Sequence, residues 1–353
     1  MDIIVRFWDI EKNQVQSRYL TSGFMGEAKA DDILETFNSA VSKKLDYPEN
    51  LVQLSSDGPN VNLLFLKEYD AQRSLNGLPP LLDVGTCGLH TVHGSMKAGE
   101  KATKWDVGKT LKAMDGLLGD YPARRTKYER LTESSLYPLP YCGHRWCENE
   151  KCLERAGEIW MKFAKFVKYM EKLPKSQQPG KGEGKQFLLL RKTVDDPLMP
   201  AKMKLLEYVC SLLNEFLRGF QTDQPMVPFL CETLSSLIRT IMKMYINSSV
   251  MKKHDSVQKL LEIDASDRNN FKQKDQTDIG IGAKVFISTY KGSSSFKQFK
   301  LSEFYSGAQT FLSTLVTHMM QKSPLAQPFA RMVSSSKNDG KGKPETHSDG
   351  IVF

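Results

Sequence analysis

The chain has 353 residues, 40% of them apolar and 25% charged, and carries a formal net charge of +8. That is enough for one large domain or two ordinary ones with a real core, which excludes a wholly disordered polymer. No stretch has the length and apolarity of a membrane span. Met1–Asp9 has neither the basic lead nor the apolar length of a signal or transit peptide. Six cysteines without a secretory signal predict reduced thiols in a nuclear or cytoplasmic protein, not secreted and not membrane-bound.

In the first third, strand and helix patterns alternate. Residues 2–8 are rich in Ile, Val, Phe and Trp, and a polar stretch separates them from a second strand pattern at Val15–Leu20, which predicts a hairpin. Ala30, Ile33, Leu34, Phe37 and Val41 have helical spacing. Asn50–Leu54 predicts a buried strand, Val61–Tyr69 a helix, and Leu81–Val84 a further buried strand. Such alternation indicates an α/β layer structure.

Beyond about residue 100 helical patterns dominate. Leu153, Ala156, Trp160, Phe163, Val167 and Met170 share one face of a helix over 148–171, which Pro174 ends. The stretch from Pro174 to Gly184 predicts a flexible linker. Helices are predicted over 201–220 and 225–245, with Thr222 or Asp223 as cap and Pro225 in the first turn of the second. A polar loop over 262–278 and an amphipathic helix over 301–320 follow, and residues 331–353 are predicted to be a disordered tail.

Three segments carry candidate chemistry. In Leu54-Ser55-Ser56-Asp57-Gly58-Pro59-Asn60-Val61-Asn62 an apolar strand ends in an Asp just before a helix. An acid there sits at the sheet's crevice, where α/β proteins hold ligands and hard cations such as magnesium; the plainer alternative is that Asp57 caps the helix. Cys87-Gly88-Leu89-His90 supplies thiolate and imidazole, the donors zinc prefers. Cys142, His144, Cys147 and Cys152 are the other candidates, although their spacing matches no zinc-finger pattern, and buried structural thiols are the alternative. Lys162, Lys165, Lys168 and Lys172 recur at three- and four-residue spacing on one helix. They form either a phosphate-binding stripe or a plain solvated face. There is no Gly-x-Ser-x-Gly, and the glycines of Asp278–Ala283 lack the Lys-Ser/Thr of a phosphate loop.

Asp57-Gly58-Pro59-Asn60, Cys87-Gly88-Leu89-His90 and His144-Arg145-Trp146 together resemble, in order and spacing, three motifs of the hAT superfamily of transposases. The likeness covers roughly residues 1–330. It implies an α/β, ribonuclease H-like core interrupted by a large all-α insertion domain, mostly helical overall. It also implies an ancestral DNA cleavage and joining reaction run by an Asp-Asp-Glu triad, with Asp57 as the second acid. Trp146, beside Arg145, would stack on a displaced base, a role any indole can perform because every base has a π-face; the plainer alternative is that Trp146 is a core anchor.

The pattern breaks at both ends. Met1–Trp8 resembles the second strand of that core, so the first strand and its Asp are missing; the final Glu has no recognisable counterpart, and Glu303 occupies only its place in the order. A lone Asp cannot hold two metals about 3.5–4 Å apart. The expectation is therefore an N-terminally incomplete, domesticated transposase-like protein without catalysis. Its partial core would lie in 1–100, its helical insertion in 101–262, and a loop and helix returning to the core in 263–330. Arg145, Trp146, Lys162, Lys165 and Lys168 are its candidate nucleic-acid residues, with DNA or a protein as partner. Two alternatives stand beside it. One is a residual metal-dependent nuclease using Asp9, Asp57 and Glu303 with magnesium. The other is a zinc-stabilised scaffold built on Cys87, His90 and the Cys142–Cys152 cluster.

Overall fold

In chain order the elements are strands β1 (Asp2–Asp9) and β2 (Gln14–Ser22), then helices α1 (Ala30–Lys44), α2 (Asn60–Leu75), α3 (Gly88–Thr103), α4 (Val107–Leu118) and α5 (Pro122–Thr132). After them come α6 (Glu150–Glu171), α7 (Gly184–Val194), α8 (Met199–Phe220), α9 (Val227–Tyr245), α10 (Ser248–Lys253), α11 (Val257–Glu262), α12 (Gly280–Thr289) and α13 (Ser294–Lys322). The computed structural model describes residues 1–45, 48–82, 88–180, 182–221, 227–290, 292, 294–322 and 325. Thr222, Asp223, Pro225, Cys87 and the tail from residue 331 lie outside the described residues. Among those described, no helix is long and apolar enough to cross a membrane.

The chain divides into two units. One comprises Met1–Thr91, Gly219–Ser235 and the chain from Lys322; the other comprises Val92–Arg218 and Ser236–Gln321. Residues 263–321 fall in the second of these units.

In the first unit β1 and β2 pair antiparallel as predicted, from Asp2 opposite Ser22 to Asp9 opposite Gln14, with a bulge at Ile3/Ile4. Ile3 joins a core built on the inward stripe of α1 (Ala30, Ile33, Phe37 and Val41) and on Phe65 and Tyr69 of α2. Phe37 sits edge-on to both aromatics, 5.4 Å from Phe65 and 5.0 Å from Tyr69 between ring centroids. Asp31 and Asp32 in the first turn of α1 and Lys43 and Lys44 in the last complement its dipole. The other face of the hairpin is bare, with Ile4 67% and Tyr19 64% exposed across the strands from one another.

Residues 50–54 do not form the predicted buried strand. They run on from a short 3-10 turn without a ladder, and Val52 is exposed. Apolar β-branched sequence makes a strand only where partner strands satisfy its backbone. Among the described residues, the Leu82 N–H donates to the Val52 carbonyl at 2.9 Å and links the segment to the next predicted strand. Asp83 and Val84 of that strand lie outside the described residues.

The second unit is helical and is organised by α6. Its buried side chains are Cys152, Leu153, Ala156, Ile159, Trp160, Phe163, Phe166, Val167 and Met170, a broader stripe than the sequence pattern marked. Each large apolar side chain removed from water contributes roughly 1.5–3 kcal/mol. In the predicted linker 174–184, Gln178 Nε2 donates to the carbonyls of Glu171 and Leu173, tying that residue to the end of α6. Gly280 begins α12 with φ +77°, and a Cβ there would stand 2.7 Å from the Tyr208 ring. The glycines of 278–283 therefore serve close helix packing.

Truncating Phe37 to Ala removes the hub of the first unit's aromatic cluster. It is expected to destabilise that unit by about 3 kcal/mol or more, read as loss of hydrogen-exchange protection in α1 and α2 while α6 keeps its protection.

Candidate functional site

The sequence-predicted residues fall into three places. Asp57 stands exposed in the loop before α2. It does not cap that helix, whose N-cap is Pro59 without a side-chain bond; instead it accepts a hydrogen bond from the Asn62 side chain. Asp9 is engaged in its own hairpin turn, where its Oδ1 accepts from the Lys12 amide at 3.1 Å. Glu303 pairs with Lys300 at 3.5 Å. Among the described residues no group of three or more His, Cys, Asp or Glu side chains converges to hold a metal ion. His90 is exposed on α3, and Cys142 Sγ lies 3.8 Å from both ring nitrogens of His144 with no third donor completing that pair.

Arg145 and Trp146 open a 3-10 turn before α6. Arg145 is exposed and pairs with Glu148 at 3.2 Å. Trp146 is 1% exposed, so its faces are covered and the base-stacking role that the resemblance implied finds no open ring in this conformation. Asn149 is the reason the segment closes so tightly. Its Nδ2 donates to the carbonyls of Cys142 and Trp146, both at 2.8 Å, and its Oδ1 accepts from the Cys142 amide at 2.8 Å. The Trp146 ring meets Tyr141 edge-on at 6.5 Å, and both rings crowd onto α4 at Gly108. A Cβ on Gly108 would come within 2.7 Å of Tyr141 Oη, so any larger residue there would force the Tyr141 ring to shift.

Beneath this turn lies a thiol cluster that sequence spacing did not bring together. Nδ1 of His93 accepts from the Cys147 amide at 3.3 Å, and Asn214 Nδ2 donates to the Cys147 carbonyl at 3.1 Å. A hydrogen bond with Cys210 draws the Cys147 thiol below its ordinary range; burial opposes that shift and His93 assists it. Cys210 moves the other way, raised by burial and then by Cys147. Burial also pushes the Cys152 thiol up to about 12, and its Sγ–H donates to the Leu139 carbonyl at 3.3 Å. These thiols, apart from half-exposed Cys142, are buried packing groups.

The lysines stand elsewhere. Lys162, Lys165 and Lys168 are exposed on α6, away from its buried face, and Lys172, also exposed, caps its C-terminus. Lys165 Nζ donates to the Leu131 carbonyl at 2.9 Å and Lys168 pairs with Asp195 at 3.2 Å. Lys162 and Lys172 have no ion pair among the described residues.

The row edges an open groove of about 690 Å³. From α6 and its C-terminal cap the groove takes Met161, Ala164, Lys165, Lys168, Tyr169 and Lys172, one stripe at three- and four-residue spacing. The facing wall is the turn carrying Pro197 together with Phe286 of α12 and Tyr290, which caps that helix. Met161 is 75% and Tyr169 38% exposed, a large amount for apolar groups on a helix that buries its other side. Asp196, also at the groove, is engaged by Lys202. A smaller basic hollow beside Arg239 is structural, because that guanidinium is spent on the carbonyls of His254, Asp255 and Ser256.

Sequence spacing marked the lysines and missed the groove. Tyr169 was legible, four residues from Lys165 and eight from Met161, but Pro197, Phe286 and Tyr290 arrive from distant parts of the chain. No family model matches the chain, and neither curated proteins nor solved structures give a match.

Two outcomes follow from these contacts. Gly108→Ala should lower stability by about 1–3 kcal/mol in thermal unfolding, and Tyr141→Phe in the same chain should recover part of the loss by removing the clashing oxygen. Arg124 holds Glu183 with two bonds of 2.7 Å, and that pairing keeps the Glu183 carboxyl below its ordinary range. A depressed folded value contributes stability above the unfolded value and loses it as pH falls through the folded one. Glu183→Gln should therefore cost about 1 kcal/mol at neutral pH in urea unfolding, and the difference should vanish in acid below that depressed value.

Proposed function

We propose that the chain derives from a hAT-type transposase, with a ribonuclease H-like first unit, and that it binds nucleic acid through the α6 lysine row without cutting it. The observation that carries this reading is the row itself: four ammonium groups along one exposed edge of α6 and its C-terminal cap, three of them (Lys162, Lys165 and Lys172) without a carboxylate partner among the described residues. Each ammonium group that meets a phosphate releases a condensed counterion, so affinity built this way falls steeply with salt. The net charge of +8 adds a long-range attraction for the same polyanion. Arg145, exposed beside its Glu148 partner, is a further phosphate contact available on the same unit.

The absence of cutting rests on charge balance. Two metals in the range of phosphoryl chemistry need several converging carboxylates, and Asp57 has an amide, Asn62, as its side-chain partner. The ancestry rests on the order of the Asp57, Cys87–His90 and Arg145–Trp146 motifs.

The test is binding to DNA across a salt series, with wild type against Lys162→Glu/Lys165→Glu. Affinity should fall as salt rises, and each reversed lysine should reduce the slope of log affinity against log salt by about one. Binding unchanged by the reversals would remove the nucleic-acid role. DNA cleavage dependent on magnesium or manganese and abolished by Asp57→Asn would overturn the absence of catalysis.

A further inference from the structure

We propose that the groove beside the α6 lysine row takes the bases of a single-stranded nucleic acid, with its phosphates on the lysines. This rests on the polyanion reading above and narrows it to one class of strand. The basic groups come from one stripe only: Lys165, Lys168 and Lys172 edge the groove from α6 and its C-terminal cap, while the rest of the lining includes Pro197, Phe286, Tyr290 and Asp196, the last paired with Lys202. A single row matches a single backbone. Lys162 to Lys172 runs about 15 Å along the helix at the α-helical rise, long enough to follow several phosphates.

The floor decides between strand types. A duplex presents phosphate, sugar and base edges and keeps its base faces stacked within, so an apolar trough beside the lysines offers it nothing. An unpaired base carries a free π-face, and aromatic rings in a basic groove are the means by which single strands are held without sequence preference. Tyr169 is on the same stripe as the lysines, with one face of its helix already solvent-exposed, and Tyr290 stands half-buried on the opposite wall. Met161, 75% exposed at one end of the stripe, supplies a soft apolar surface for a further base. Asp195 and Asp196, the carboxylates nearest the groove, are engaged by Lys168 and Lys202, so no free acid among the described groove residues repels the backbone.

The groove also has the form of a seat for an acidic helical peptide, which would set carboxylates on the same lysines, and the experiment separates the two. The full chain is titrated with four probes: oligothymidylate, an abasic oligomer of equal length, a duplex, and polyglutamate. Wild type is compared with Tyr169→Ala, Tyr290→Ala and Lys165→Glu/Lys172→Glu, each checked for helical content. Oligothymidylate should bind roughly tenfold or more tighter than the abasic oligomer. Each tyrosine variant should erase most of that preference while leaving abasic and duplex binding unchanged, and the lysine variant should weaken all nucleic-acid probes together. Equal binding of oligothymidylate and abasic oligomer would overturn this inference and leave the polyanion role standing. No binding of any nucleic acid would overturn both. Polyglutamate binding tighter than oligothymidylate, with sensitivity to Tyr169→Ala, would assign the groove to an acidic polypeptide instead.

Discussion

A helix of 22 residues can be held in a globular unit only if one side of it is buried, and in α6 that requirement sets much of what surrounds it. Phe163, Phe166 and Val167 are fully enclosed, and Tyr128 of α5 meets Phe166 edge-on at 5.5 Å. Because the apolar stripe must face inward, residues half a turn away must face out, and in the second half of α6 these include Lys162, Lys165 and Lys168. The basic row is thus the geometric complement of the core. No separate device is needed to display it. The groove has a second cause: the Val194–Pro200 turn and the end of α12 stand beside α6, leaving Met161 and Tyr169 uncovered between them.

The turn that precedes α6 is held by a different kind of force. Asn149 satisfies three backbone groups with one amide, Asn214 secures the Cys147 carbonyl, and Gly108 makes room for Tyr141 and Trp146. Buried polar groups cost free energy unless paired, and pairing them fixes a single conformation. An indole enclosed this way is an anchor. If Trp146 has a contact with a base, the turn has to open first, at the expense of those bonds. Arg145, on the outer side of the same turn, meets no such barrier.

The sequence revealed the elements in which periodicity and burial coincide. The hairpin, α1, α6, α8 and α13 were legible because a single apolar stripe or alternating run marks each. Helices α3, α4 and α5 were not. α5 is polar on most of its length, with Arg124, Arg125 and Arg130 among its eleven residues, and its place is set by ion pairs and by Pro122 at its start. The strand expected at 50–54 failed for the reason strands are hard to read: its five residues specify a β conformation only if other strands flank it. Site legibility was partial on similar grounds. Linear motifs exposed Asp57, Arg145 and the lysines, but the Cys147–Cys210–His93 cluster and the tyrosine-lined wall are assembled from segments dozens of residues apart. Trp146 is buried, as its core-anchor alternative expects, and burial is a property that a motif does not encode.

The central claim is that α6 presents one working edge. The most direct measurement is hydrogen–deuterium exchange of the full chain with and without single-stranded DNA at low salt, resolved to short peptides. Added protection should concentrate on the second half of α6, on residues 194–200 and on the end of α12, with the Asp57 loop unchanged. Protection confined to the Asp57 loop or to the Arg145–Cys147 turn, with α6 unaltered, would contradict the account.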